Sequence, residues 1–429
     1  SIFVLILGSL ICFSAVQAGL INEDFSDYTY NNSFETDADW NIHRQHLTVH
    51  ETPHFSSPDL VHAAPLPESG FVALYSWWDG SRHSLLMQKY DEKGNSLWKN
   101  MLDVTVGEEF DEYGRIETHA DMIFVLQASI APDTGYYLQL FNLDGTSLWG
   151  APVNVNASGL SGLGSCDMDV TSDGSVVVVW SDDRLSDYKI FAQKISLTGS
   201  RMWNSSDVQI QPGGVDNENV PSLVLDALDR SYIAWQENQD ILMTRLDSSG
   251  NPAWTDGILV TADPTDWQTR PEIGLIPGTG VAISYRENGS GFLESIEAVA
   301  LDFDGNPLWP GDVLVKQVDG RLDNQTLTVT SQGVLCSMGS SYLGQWRAYA
   351  RLISLDGTLP TADVMEIEFP GASWGSLNGV EIIDSAGEGV TAIVQNGQTE
   401  LFNYTYVRGL SDTGFPHWTG YTSLNQIPG

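Results

Sequence analysis

The chain is poor in basic residues. Of its 429 residues, 19 are Lys or Arg and 56 are Asp or Glu, which gives a formal net charge of -37 at pH 7. A negative charge of this size repels nucleic-acid phosphates and anionic lipid headgroups. We therefore expect no nucleic-acid partner and no membrane partner once an export signal is removed. Self-repulsion should also keep the protein soluble and monomeric.

Cysteine is scarce too, and no stretch shows the periodicity of a helix. Cys166 and Cys336 stand far apart among only 3 Cys, so we expect buried, unpaired thiols rather than a disulfide framework. The chain is instead rich in aromatics and turn formers, with 14 Trp, 15 Tyr, 15 Phe, 41 Gly and 18 Pro. This mixture favours short strands and tight turns, and it predicts an all-β fold.

A long apolar run occurs at the start of the chain. Residues 1–18, SIFVLILGSLICFSAVQA, end in a small-residue pattern that is typical of a secretory signal peptide. A short transmembrane anchor is the alternative, although the run is shorter than a usual span. We expect a secreted or cell-surface protein with a signal peptide over 1–18, a polar lead-in over 19–57 and a β-rich domain over 58–429.

A repeated element organises that domain. Its first copy reads DEKGNSLW, and six further copies follow, of which one has Thr361 in place of the final Trp. The element's glycines are Gly94, Gly145, Gly199, Gly250, Gly305, Gly357 and Gly414. Consecutive glycines are 51, 54, 51, 55, 52 and 57 residues apart, a period that suits one four-stranded propeller blade.

Each period contains runs that predict the strands of a blade. Around the third copy, residues 175–180 and 190–195 predict the second and third strands, and residues 207–210 predict a short outer strand. The turn at the glycine should join the third strand to the fourth, and the Trp should pack between neighbouring sheets. We expect four of these residues to be largely buried: Trp149, Trp203, Trp254 and Trp309. Where Thr361 replaces Trp, we expect Met365 or Phe369 to fill the gap.

The repeat resembles that of secreted bacterial β-propellers with a pattern close to vvWsDdR...iyaQkld.sGn.lW. The best copy here is VVVVWSDDRLSDYKIFAQKISLTGSRMW. It is also distantly similar to the tryptophan-docking repeat of quinoprotein-type propellers. The sialidase Asp-box places Gly three residues before Trp, whereas Gly145 is four before Trp149, which argues against a sialidase.

The resemblance implies a seven-bladed β-propeller of four-stranded antiparallel blades. Residues 39–40 and 46–49 resemble another Trp with its outer strand, so they are a candidate ring-closing segment. An eighth blade is the alternative if the natural chain continues past Gly429.

In such a blade, the loops between the second and third strands share one face with the loops that join successive blades. The conspicuous polar and aromatic side chains fall in these loops. We predict that they form a face for a glycan or protein ligand. Its candidate residues are Trp78, Asp79, Asp182, Arg184, Glu237, Trp267, Arg286, Trp346 and Trp374. The alternative, which recurrence with the repeat favours, is that pairs such as Asp182 and Arg184 brace each blade.

No nucleophile elbow, phosphate loop, HExxH or paired-Cys motif is present in the sequence. We therefore expect a binding or scaffold module with no catalytic residue and no organic cofactor. A glycan-active hydrolase or lyase, or a quinone-dependent dehydrogenase, at the same channel mouth is the alternative.

Two features bear on metals. Carboxylate-rich loops between blades could hold Ca²⁺, and chelation would then lower the melting temperature. Five histidines, His43, His46, His50, His54 and His62, lie close together in the sequence. We expect a solvated lead-in there rather than a zinc or copper site, because Pro53 interrupts any continuous strand.

Overall fold

The structure is a computed structural model. It describes residues 3–6, 9–12, 59–78, 82–107, 110–130, 133–157, 160, 162–212, 218–261, 266–289, 293–342, 345–361, 364–367, 376–384, 390–399, 402–410 and 422–423. The regular elements among these residues are strands. No helix in this part of the chain is long and apolar enough to cross a membrane.

Seven four-stranded sheets make up most of the described chain. The first two contain β3 (Asp59–Pro65), β4 (Phe71–Trp78), β5 (His83–Tyr90) and β6 (Leu102–Asp103), then β7 (Phe110–His119), β8 (Met122–Ser129), β9 (Gly135–Asn142) and β10 (Val153–Asn154). The third and fourth contain β11 (Leu163–Val170), β12 (Val176–Asp182), β13 (Lys189–Ile195) and β14 (Val208–Gln209), then β15 (Glu218–Leu225), β16 (Ser231–Glu237), β17 (Asp240–Leu246) and β18 (Ile258–Thr261).

The remaining three sheets follow the same plan. They contain β19 (Trp267–Ile276), β20 (Gly280–Asn288), β21 (Leu293–Asp302) and β22 (Val313–Asp319), then β23 (Arg321–Thr330), β24 (Gly333–Tyr342), β25 (Gln345–Ile353) and β26 (Met365–Ile367), and finally β27 (Ser376–Asp384), β28 (Val390–Thr399), β29 (Phe402–Leu410) and β30 (Thr422–Ser423). A separate compact unit holds the two-stranded hairpin of β1 (Phe3–Ile6) and β2 (Ser9–Cys12).

Every four-stranded sheet is an antiparallel meander in chain order. The first strand of each sheet contacts the first strand of the next, and β27 contacts β3. The first strands therefore surround a central channel, and the short fourth strands form the outer rim. The predicted all-β propeller with four-stranded antiparallel blades is confirmed.

Apolar side chains fill the spaces between neighbouring sheets. Strand β12 is buried at every position because a sheet covers each of its faces, which explains the uninterrupted run of four Val. Trp180 from this strand packs with Tyr136 of the preceding sheet, their ring centroids 5.7 Å apart. Cys166 and Cys336 lie in two of these cores, buried and unpaired as predicted.

The repeated turn adopts the same conformation in successive sheets. Its glycine takes a left-handed φ, +80° at Gly145 and +83° at Gly250, which favours Gly over residues with a side chain. A Cβ at Gly250 would lie 2.8 Å from the Trp203 indole of the preceding sheet. The Trp149 indole N–H also donates to the Leu197 carbonyl in the turn of the next sheet, at 2.9 Å. The turns from Gly145 to Gly357 therefore each receive the indole of the preceding sheet.

The expectation that these Trp residues are largely buried holds in full for one of them, and the other three are partly buried. Trp309 is 3% exposed, whereas Trp149, Trp203 and Trp254 are only half-buried. Trp149, Trp203 and Trp254 pack against the apolar cores between neighbouring sheets and also against the turn of the next sheet, and part of each ring remains exposed to solvent. Among the proposed substitutes for the missing Trp, Met365 is half-buried at the start of β26, and Phe369 lies outside the described residues.

We expect the cost of removing an indole to follow its burial. Trp309→Ala should lower the free energy of unfolding by about 3 to 5 kcal/mol, and Trp149→Ala by roughly half as much, because a half-buried ring loses less apolar area. Chemical denaturation of both variants tests this order. Equal losses, or a smaller loss for Trp309→Ala, would contradict the packing described here.

Candidate functional site

The central channel is a cavity of ≈ 1120 Å³. Most of its lining residues belong to β3, β7, β11, β15, β19 and β23, which are the first strands of their sheets, and Tyr188, Gln236 and Arg286 add to them. Strand alternation decides which side chains reach it. In β11, Cys166 and Met168 enter the core, so Asp167 and Asp169 face the channel.

Polar side chains join the neighbouring first strands across the channel wall. Asp167 accepts a hydrogen bond from the Leu223 N–H at 2.8 Å, and Asp169 accepts one from the Leu225 N–H at 2.8 Å. On the other side of β11, Arg115 Nε lies 3.2 Å from Asp167 Oδ1. Backbone groups that the sheets leave unpaired are therefore satisfied by side chains of the adjacent blade.

The first strands also share an irregularity, because each contains a register shift typical of a β-bulge. In β19 the bulge places Arg270 at a φ of +54°. The Arg270 carbonyl accepts a hydrogen bond from Gln325 Nε2 of β23 at 2.6 Å. Glu272 follows the bulge and faces the channel.

Four carboxyl groups meet in the channel, and burial raises the pKa of each. It raises the pKa values of Asp169 and Glu272 to about 7. The Glu117 pKa rises through burial and through the charges of Asp169 and Asp167. Burial also raises the pKa of Asp167, against the opposing effect of Arg115. Asp169 and Glu272 can therefore hold protons near neutral pH.

His62 stands at the same wall in its neutral form. Its Nδ1 lies 3.2 Å from the Ile116 carbonyl on β7. Burial, together with the positive charge of Arg115, lowers the pKa of His62 to about 3. The other four histidines of the predicted lead-in lie outside the described residues. His62 itself is part of the first blade.

Trp267 and Trp78, two of the predicted ligand-binding residues, are exposed. Both lie at ends of strands, on the face that carries the inter-blade loops and the loops between second and third strands. Trp267 begins β19 and is 55% exposed, and Trp78 ends β4 and is 36% exposed beside the ring of His83. The strand that begins with Trp267 continues into the channel through Arg270 and Glu272. One strand thus connects an aromatic surface with the channel wall.

Asp182 and Arg184 belong to a network of ion pairs and hydrogen bonds that holds the blade together, as the alternative prediction expects. The Asp182 carboxylate is fully buried and lies 2.6 Å from Arg184 Nη2. It also accepts a hydrogen bond from the Trp180 indole at 2.7 Å. Arg184 reaches Asp207 at 2.8 Å, and Asp207 accepts the Ala157 N–H from the neighbouring sheet at 2.9 Å. Contacts within the blade and with the neighbouring blade therefore occupy both side chains.

The other predicted residues are dispersed. Arg286 lines the channel and is held by Glu294 at 3.1 Å and by the Leu322 carbonyl at 2.9 Å. Glu237 is half-buried at the end of β16. Asp79, Trp374 and the side chain of Trp346 lie outside the described part of the molecule.

Sequence reasoning identified the loop face but missed the channel wall. The missed residues are Arg115, Glu117, Asp167, Asp169, Glu272 and Gln325. The available signal was alternation in the first strands, where LGSCDMDV places its carboxylates two residues apart. Among the residues described, no group of three or more His, Cys, Asp or Glu is placed to hold a metal ion. Much of the inter-blade loops that were predicted to hold Ca²⁺ lies outside the described residues, including 213–217 and 262–265.

No family model and no curated protein matches the chain. Several solved structures do match the chain in fold. A puromycin-hydrolyzing peptidase of Mycobacterium tuberculosis is 10% identical over 87% of this chain and 54% of its own, with a TM-score of 0.53. The prolyl oligopeptidase B of Galerina marginata is 10% identical over 87% and 52%, with a TM-score of 0.51. The chain thus spans about half the length of either peptidase, and the likeness concerns the fold alone.

The brace around Asp207 yields a stability prediction. Asp207 is buried between Arg184 and Arg201, so Asp207→Ala should leave two guanidinium groups without this partner and cost about 3 to 5 kcal/mol. The matched control is Glu366→Gln, which breaks an exposed pair with Arg347 and should cost at most about 1 kcal/mol. Denaturant titration measures both variants. Similar small losses would show that the brace does not stabilise the ring.

The channel carboxyls predict a dependence of stability on pH. A raised pKa means that the folded state binds more protons than the unfolded state between about pH 5 and pH 7, so this contribution to stability is lost as pH rises. Glu272→Gln removes one such group. Relative to wild type, the variant should gain roughly 1 to 3 kcal/mol between about pH 5 and pH 8. A pH-independent difference between variant and wild type would contradict the raised pKa of Glu272.

Proposed function

We propose that this chain is a secreted or cell-surface binding module, a closed ring of seven blades that presents the mouth of its channel to a glycan or protein ligand. It works as a monomer and binds neither nucleic acid nor membrane. The observation that carries this function is the exposed Trp267 on the strand that leads into the channel.

The mouth combines two kinds of contact that a polar ligand requires. An exposed indole offers a flat apolar face on which a sugar ring or an aliphatic side chain can stack. Farther along the same strand, Arg270 and Glu272 supply charged groups at the channel wall. Stacking at the surface with hydrogen bonds deeper inside is a common design of ligand sites.

The blade number rests on the topology. Seven four-stranded sheets follow one another, and contact between β27 and β3 supports closure without a further blade. The candidate ring-closing segment at residues 39–49 lies outside the described residues. Its role as an added strand of the last blade remains part of this proposal. So does the likeness of the repeated Trp to the docking residue of quinoprotein-type propellers.

Glycan arrays and immobilised extracellular proteins test the proposal with three forms of the chain. Wild type should bind at least one ligand, and Trp267→Ala should weaken that binding about tenfold or more, the loss expected for a central aromatic contact. The matched control is Leu259→Ala, which removes an equally exposed apolar side chain, 57% exposed, from the outer strand β18. Binding that survives Trp267→Ala unchanged would rule out this mouth.

A hydrolase or lyase in the channel is the second candidate. Its support is the set of carboxyls with raised pKa values, since a carboxylic acid that keeps its proton near neutral pH can act as a general acid. Turnover of any bound glycan that Glu272→Gln abolishes without loss of binding would establish this alternative. A quinone-dependent dehydrogenase gains no comparable observation in the described residues.

A further inference from the structure

The face opposite the channel mouth carries a group of exposed apolar side chains. This face holds the hairpins between first and second strands and the turns between third and fourth strands. In the second, third and fourth blades, four large apolar side chains on it are 40% to 69% exposed: Leu148, Leu197, Met202 and Leu228. We call these four residues and the half-buried Met122 the rear patch.

The rear patch is built around one hairpin of the third blade, residues 171–175. A Cβ at Gly174 would lie 3.6 Å from Met122 Cε, which comes from the second blade, and 3.8 Å from Leu197 Cδ1. Met202 Sδ lies 3.7 Å from the Ser175 hydroxyl of the same hairpin. Side chains of two blades therefore meet over this hairpin.

Hydrogen bonds continue the patch into the neighbouring blades. The Ser172 N–H donates to Asp229 of the fourth blade at 2.8 Å, and Leu228 directly precedes Asp229 at the tip of that hairpin. On the other side, the Trp149 indole donates to the Leu197 carbonyl at 2.9 Å, and Leu148 directly precedes this Trp. The rear patch thus spans three consecutive blades.

Leu228 departs from the repeat. The equivalent position in the third blade is Asp173, since each of the two residues is followed by one with a left-handed φ, +79° at Gly174 and +55° at Asp229. A side chain that only packed the ring would be covered, whereas Leu228 is 69% exposed at a hairpin tip. Contiguous apolar surface of this kind on a soluble protein marks an interaction site.

The charges around the rear patch are mainly negative. Two nearby guanidinium groups are held by buried carboxylates, Arg201 by Asp207 and Arg230 by Asp226, and the Lys194 side chain is buried. The turns that flank the patch expose three carboxylates: Asp121, Asp144 and Asp173. Hydrogen bonds from Thr171 and Ser175 lower the pKa of Asp173 to about 2, so this group is ionised at neutral pH.

We propose that the rear patch docks a segment of a partner polypeptide that presents apolar side chains flanked by Lys or Arg. The Leu and Met side chains cover the apolar groups of that segment, and the acidic turns attract its cations. Because this surface lies on the face opposite Trp267, the site is independent of the proposed mouth. One ring can then hold two ligands at once.

Other occupants fit the rear patch less well. Its members are aliphatic and thioether side chains, which offer no ring on which a sugar can stack. The acidic turns and the net charge of -37 repel both anionic lipids and a second copy of this chain. A basic and apolar polypeptide is complementary to the patch in both charge and polarity.

Selection of short random peptides displayed on phage tests the proposal, with the immobilised full chain as the target and about 0.15 M salt to screen diffuse attraction. The selected peptides should combine Leu, Ile, Val, Met or Phe with Lys or Arg. Synthetic copies should bind the chain with a Kd of about 100 μM or tighter in fluorescence anisotropy. Their affinity should fall as the salt concentration is raised.

Two variants locate the binding. Leu228→Ser removes the most exposed side chain of the patch and should weaken peptide binding about fivefold or more. The matched control is Leu259→Ser, which changes a 57% exposed side chain on the outer strand β18 and should leave the affinity unchanged. Circular dichroism and melting curves confirm that both variants fold.

The outcomes separate the proposal from its rivals. Basic and apolar peptides that lose affinity with Leu228→Ser and keep it with Leu259→Ser support the rear patch. Failure to select any peptide, or equal losses in the two variants, overturns it. Self-association of wild type that Leu228→Ser abolishes also overturns it, in favour of a second copy. Peptides that depend on Trp267 and ignore Leu228 would sustain the proposed mouth and reject the rear patch.

Discussion

The sheets whose side chains the structure describes have two apolar faces, and only neighbouring sheets can cover both. Strand β12 is buried along its whole length because the sheets on either side pack against it. This demand for cover on both faces favours a closed ring, and a ring of twisted sheets leaves its first strands around a central channel. The repeated turn and its indole extend the contact at the edges, where Trp149 reaches the Leu197 carbonyl of the next sheet.

Ring closure has a consequence for the channel. The first strands of neighbouring sheets do not pair with one another, and side chains satisfy part of their backbone. Asp167 and Asp169 do this for Leu223 and Leu225. Burial of carboxyls used in this way raises their pKa values, so that they retain protons at higher pH than exposed carboxyls do. The same groups that join the blades therefore also give the channel wall its acid–base character.

The repeat allowed the blades to be predicted from sequence, because the glycine turn and the apolar runs recur with a nearly constant period. Thus residues 190–195 were expected as a third strand and form most of β13. The degree of burial of each indole could not be derived in this way, since the sequence does not say how much of Trp149 the core and the next turn cover between them. The channel residues were missed for a related reason. The alternation of Asp167 and Asp169 also fits an exposed edge, and only ring closure turns that face inward.

The claim that the mouth of the channel binds a ligand is tested most directly by a crystal structure of the chain with a ligand found in the glycan or protein screen. We expect that ligand to contact the Trp267 indole and to extend towards Arg270 and Glu272 on the same strand. A ligand found only on another surface of the ring would contradict this account.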